Sequence, residues 1–142
     1  MLAAETNDMT RHKRNLILLV EDNDLDSILI HRVIKRLRPE IEILRRCDGI
    51  DALAALERHS PDLIIMDINM PRMGGLEALA EIKRDSQLRR IPVVMMSTSC
   101  REVDIDHSYE SCANAYVVKS LAANGRRSIE DVVKFWFETA EL

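Results

Sequence analysis

The stretch Leu63-Ile64-Ile65-Met66-Asp67-Ile68-Asn69-Met70-Pro71-Arg72-Met73-Gly74-Gly75 decides the fold of this chain. Its first four residues are too few for a helix and too continuously apolar for a half-exposed strand. A parallel strand covered by helices on both faces reads this way. The run stops at a carboxylate, Asp67, and beyond Gly74-Gly75 the spacing of Leu76, Leu79 and Ile82 predicts a helix. A buried strand therefore delivers an acid to its carboxyl end, which is where open parallel sheets bind their ligands.

Working outward, the same unit recurs. Residues 16–20, 93–96 and 116–118 are further short apolar runs, and Met95-Met96 must face opposite sides of the sheet. Residues 41–44 differ: Glu40 and Glu42 alternate with Ile41 and Ile43, the pattern of an edge strand with one wetter face. Between the strands, Ile30, Val33, Ile34 and Leu37 keep helical spacing up to Pro39, with Asp24 or Asp26 expected as the cap. A second helix over 48–58 carries Leu53 and Leu56 behind Asp48 as its cap. Ile105, Tyr109 and Cys112 share a face of a fourth. The last helix has two readings. It starts near Ile129 if Ser128-Ile129-Glu130-Asp131 is a capping box, or near Ala122 if it runs through Asn124-Gly125, at ~1 kcal/mol for the glycine. Five alternations of strand and helix predict an α/β fold with a five-stranded parallel sheet and helices on both faces.

Composition limits the function. The 142 residues are 46% hydrophobic and 31% charged, with a net charge of −4 and no concentrated basic face, so no nucleic-acid binding is expected. Cys47, Cys100 and Cys112 have no metal-ligand spacing and read as reduced thiols. No apolar run approaches a membrane span, and residues 1–15 lack the apolar core of a secretion signal. A cytoplasmic protein is expected, with residues 1–14 as a disordered extension and 15–142 as one domain.

The polar residues at the strand ends carry the chemistry. The first run is followed by Glu21-Asp22, the third by Asp67, the fourth by Ser97-Thr98-Ser99 and the fifth by Lys119. Taken singly, each is more often a cap, a turn former or a solvated charge. Four of five strand ends bearing compatible groups is harder to dismiss. Clustered carboxylates need a cation, and oxygen-only ligands favour Mg²⁺. With such an ion, Asp67 is suited to accept a phosphoryl group, while a lysine and a hydroxyl hold its oxygens.

These residues resemble the receiver domains of two-component response regulators, over 15–142. The resemblance rests on Leu18-Leu19-Val20-Glu21-Asp22-Asn23 and on Met66 to Gly75. It implies the flavodoxin-like strand order 2-1-3-4-5, Asp67 as phosphoacceptor, and Mg²⁺ held by Asp22, Asp67 and the backbone carbonyl of Asn69, with Glu21 acting through water. It also implies Ser97, five residues after Pro92, as the switch hydroxyl with Thr98 beside it, Lys119 as the family lysine, and Tyr116 as the rotating aromatic. Such a regulator takes its phosphoryl group from a sensor histidine kinase and is not a turnover enzyme. One departure stands out: the family lysine is normally followed by proline, here by Ser120, and a non-proline cis bond would cost ~2.5–4 kcal/mol. The segments 92–99 and 128–137 look most like the small regulators associated with bacterial phytochrome kinases, which act by protein contact.

All five aromatic residues follow position 100. On the last helix Ile129, Val132, Val133 and Trp136 share a core face. Phe135 and Phe137 flank it, so Phe135, Trp136 and Phe137 are expected to form a homodimer or partner surface.

Three rival readings are weaker. Asp22-Asn23-Asp24-Leu25-Asp26 imitates a calcium loop but has Ser27 and Val33 where glycine and glutamate are required. An aspartyl-nucleophile hydrolase resembles Asp-x-Asp, where this chain has Asp67-Ile68-Asn69. A degenerate receiver, serving only as a binding module, would not need all of Glu21, Asp22, Asp67, Ser97 and Lys119.

Overall fold

The computed structural model describes residues 16–97, 102–110, 113–119 and 123–139. The N-terminal extension, Thr98, Ser99, Cys100, Cys112 and Ser120 fall outside them. Within the described residues the order is β1 (Leu16–Val20), α1 (Asp24–Leu37), β2 (Glu42–Arg46), α2 (Gly49–Leu56), β3 (Leu63–Asp67), α3 (Gly75–Arg84), a 3-10 turn (Leu88–Arg90), β4 (Val93–Ser97), α4 (Glu102–Glu110), β5 (Ala115–Val118) and α5 (Ala123–Lys134), which ends in a wider π turn (Phe135–Thr139). The five strands form one parallel sheet in the order β2-β1-β3-β4-β5, the architecture expected from the sequence.

Alternation along each central strand divides the core. Ile17, Leu19, Leu63, Ile65, Val94 and Met96 point to one side, where α1 and α5 close over them through Ile34, Val133 and Phe137. Leu18, Val20, Ile64, Met66, Val93 and Met95 point to the other, under α2 and α3 with Ala52, Ala78, Leu79 and Ile82. Met95 and Met96 thus face opposite layers. Each fully buried Ile or Leu contributes roughly 1.5–3 kcal/mol, and both faces of the sheet are so occupied.

Local chemistry adjusts several boundaries. The cap of α1 is Asn23, whose Oδ1 accepts the Asp26 N–H at 2.9 Å; neither Asp24 nor Asp26 holds that position. Asp48 does cap α2, accepting the Asp51 N–H at 2.9 Å. The edge strand starts one residue later and runs to Arg46, because Glu21 N–H extends the ladder to Arg46 O at 2.9 Å. The helix α5 takes the earlier of its two predicted starts, so Ser128 lies inside it and Gly125 is accommodated. On α4 Ser108 is fully buried, whereas Tyr109 is half exposed rather than part of a core face. Neighbouring helical positions differ by about 100°, so burying one turns the next outward.

Phe137 does not join the expected surface. It is 1% exposed, packed within the core layer beside Val133, and so forms no part of an outer surface. It follows Val133 by one helical turn and shares its face. The Arg38 guanidinium sits 6.0 Å over its ring and donates to its carbonyl. Phe135 is 52% exposed and meets the partly buried Trp136 edge-on at 4.9 Å.

Candidate functional site

Three strands bring their carboxyl ends together. β1 hands the chain to Glu21, fully buried, and Asp22, exposed; β3 ends on Asp67, 5% exposed; β5 ends one residue before Lys119. Carboxylate oxygens of Glu21, Asp22 and Asp67 lie within 4.8 Å of one another. Only glycine fits at the start of α3, since a Cβ on Gly75 would come 2.1 Å from Asp67 O. The helix therefore packs tightly under the acid.

Lys119 answers this negative charge. Its Nζ donates to Glu21 Oε1 at 2.8 Å and Asp26 Oδ2 at 2.9 Å, and stands 3.6 Å from Asp67 Oδ1. Its backbone N–H donates to Ser97 O at 2.6 Å, tying it to the end of β4. Burial alone would push the ammonium down, but the hydrogen bonds to Glu21 and Asp26 and the charges of Asp67 and Glu21 hold it above the usual lysine range. Asp67 is driven the other way. Burial and the charges of Glu21 and Asp22 push its carboxyl up to about 6, against the opposing pull of Lys119 and the Asn69 N–H.

The donor set suits a hard divalent cation. Glu21 is committed through both oxygens, Oε1 to Lys119 and Oε2 to the Asn23 N–H at 3.1 Å. Asp22 and Asp67 then remain to face a cation, an all-oxygen set of the kind that suits Mg²⁺. The exposed Asn69, two residues beyond Asp67, borders the cluster.

Ser97 is fully buried at the end of β4, in register with Val118. Tyr116, on the edge strand, is partly buried against the α2–α3 layer. Two contributors escaped the sequence reading. Asp26, expected only as a cap, is a Lys119 partner, and nothing in the local sequence marks it as one. Arg45, on β2, donates from Nε to Glu21 O at 3.0 Å and places Nη2 2.9 Å from Asp24 Oδ1, bracing the acidic loop. An alternating edge strand gives no hint of that role. Among the described residues no helix is long and apolar enough to cross a membrane.

Comparison with known proteins agrees with this fold. The family described as response regulator receiver domain matches residues 17–129. Response regulator Rcp1 of Synechocystis sp. is 38% identical over 135 residues, covering 89% of this chain and 92% of Rcp1. The crystal structure of the phosphorylated cyanobacterial phytochrome response regulator RcpA superposes with a TM-score of 0.84 at 39% identity, covering 89% of this chain and 96% of RcpA. The Mn²⁺-bound form of Rcp1 gives 0.81 at 38% identity, covering 88% and 96%.

Proposed function

The chain belongs to the response regulator receiver family, and we propose that it is a phosphorylation switch whose acceptor is Asp67. The observation that carries this is the acidic cluster itself: Glu21, Asp22 and Asp67 within 4.8 Å, with the Lys119 ammonium 3.6 Å from Asp67 Oδ1. A carboxylate oxygen of Asp67 attacks the phosphorus of a phosphohistidine on a sensor kinase. The new O–P bond makes an acyl phosphate, and the electrons of the broken P–N bond leave with the imidazole. Asp22, Asp67 and the Asn69 carbonyl would hold Mg²⁺, which neutralises charge on the carboxylates and phosphoryl oxygens. Lys119 is near enough to re-aim toward a phosphoryl oxygen, and Ser97 supplies a hydroxyl at the next strand end.

The output is a population shift between two conformations, in which Lys119, Ser97, Thr98 and Tyr116 rearrange around the new phosphoryl group. Turnover is not its purpose; the acyl phosphate is the signal. The similarity to the phytochrome response regulator RcpA supports a kinase of the phytochrome class, and exposed Phe135 with Trp136 supports a homodimer or partner contact on the last helix. The test is incubation with acetyl phosphate and Mg²⁺. One acid-stable, base-labile phosphoryl group is expected, lost in Asp67→Asn. Uptake by that variant at the wild-type rate refutes the assignment, and steady turnover of small phosphate esters points to a hydrolase instead.

A further inference from the structure

Arg72 is the one non-glycine residue with positive φ, 63°, among those described. Left-handed backbone disfavours side chains other than those of Gly, Asn and Asp, so something must hold an arginine there. The guanidinium shows what does. Nε and Nη2 stand 2.7 and 2.6 Å from Asp48 Oδ2, and Nη2 also lies 3.1 Å from Asp51 Oδ1. Asp48 is 5% exposed, and its other oxygen caps α2, so the anchor is already rigid. The Asp51 N–H, with Arg72 behind it, holds the Asp48 carboxyl below the usual range despite burial.

This clasp closes the loop that follows Asp67. At its base, the Gly75 N–H donates to Ile68 O at 2.8 Å. At its tip, the Gly49 N–H donates to Met73 O at 3.0 Å, and a Cβ on Gly49 would strike Met73 Cγ at 2.7 Å. Asn69 lies between these fixed points, two residues beyond Asp67 and exposed at the edge of the acidic cluster. A surface ion pair between two mobile side chains would restrain little. Here one partner is buried and locked to a helix end, and the arginine's own backbone is part of the loop being held.

We infer that Arg72, gripped by Asp48 and Asp51, is a positioning residue that fixes the Asn69 peptide beside Asp67 and thereby sets the affinity of the acidic cluster for a divalent cation. The inference rests on reading that cluster as a cation site. Arg72 touches neither the acids nor a cation; it acts through the loop.

Arg72→Gly separates this role from general stability, because it removes the guanidinium while relieving the positive φ. Its metal-free melting temperature is expected to change little, because the relieved φ offsets the lost contact to Asp48, whose carboxylate keeps the Asp51 N–H. Its Mg²⁺ affinity, by calorimetry, is expected to fall about tenfold, the lower range for outer partners of a metal site. Amide exchange over residues 69–73 in the metal-free protein should quicken. Wild-type affinity in this variant overturns the inference while leaving the cation site intact; a wild-type protein that binds no Mg²⁺ overturns both. Should Arg72→Gly fail to fold, Asp51→Asn removes only the outer contact. It is expected to weaken Mg²⁺ about twofold, and no change there overturns the inference equally.

Discussion

Lys119 Nζ stands 3.6 Å from Asp67 Oδ1, beyond a good hydrogen bond, while its short contacts go to Glu21 and Asp26. In this arrangement the lysine balances the buried Glu21 and leaves Asp67 only partly compensated. Its side chain is 13% exposed and that of Glu21 is fully buried. Removing the ammonium therefore strands a buried carboxylate. Lys119→Met is expected to lower stability by about 3 kcal/mol in urea unfolding. Combining it with Glu21→Gln should recover about 1–3 kcal/mol relative to the summed single losses. Simple additivity would show that the pair is not coupled.

Asp67 carries the opposite liability. Its carboxyl, with an ordinary value of 3.8, is pushed up to about 6, so the fold favours the protonated form. The stability this contributes is fully present below about pH 4 and is lost as pH rises through about 6. Above that range the buried charge costs up to ~3 kcal/mol, from 1.36 kcal/mol per pKa unit. Asp67→Asn should accordingly stabilise the metal-free protein by about 1–3 kcal/mol near pH 8 and by almost nothing near pH 4. Urea titrations in chelator at the two pH values make the comparison, and a pH-independent difference would contradict it.

The same titration predicts how a cation competes with protons. A divalent ion at Asp22 and Asp67 requires Asp67 ionised, and that carboxyl titrates at about 6. Apparent Mg²⁺ affinity should be flat above pH 7 and should weaken toward about tenfold per pH unit well below 6. Calorimetric titrations across this range, in buffers of different ionisation enthalpy, would also show about one proton released per ion at acid pH. Asp67→Asn should bind weakly at every pH.

The sequence made the strand ends legible because a buried parallel strand has an unmistakable signature, and Asp67, Glu21-Asp22, Ser97 and Lys119 each sit where such a run stops. What it hid were pairings set by the tertiary path of loops. Asp26 meets Lys119 from the first turn of α1, behind the Asn23 cap, and Arg72 reaches Asp48 from a left-handed backbone at φ 63°. Neither depends on hydrophobic periodicity. Phe137 differs: it stands one turn after Val133, a relation visible in the spacing, and shares that residue's core face instead of flanking it.

That difference makes the two phenylalanines a direct test of the last helix. Phe137 is 1% exposed inside the core layer, whereas Phe135 is 52% exposed against Trp136. Phe137→Ala should cost about 3–5 kcal/mol of stability, as large-to-small changes in a packed core do. Phe135→Ala should stay within about 0.5 kcal/mol of the parent, because it empties no cavity. If the exposed aromatic edge is a self-association surface, Phe135→Ala should nevertheless weaken the dimer about tenfold or more in sedimentation equilibrium, since an interfacial aromatic typically contributes more than 1–2 kcal/mol. A parent protein that remains monomeric at high micromolar concentration, with and without a phosphoryl mimic, would rule out the dimer and leave Phe135 to a heterologous partner.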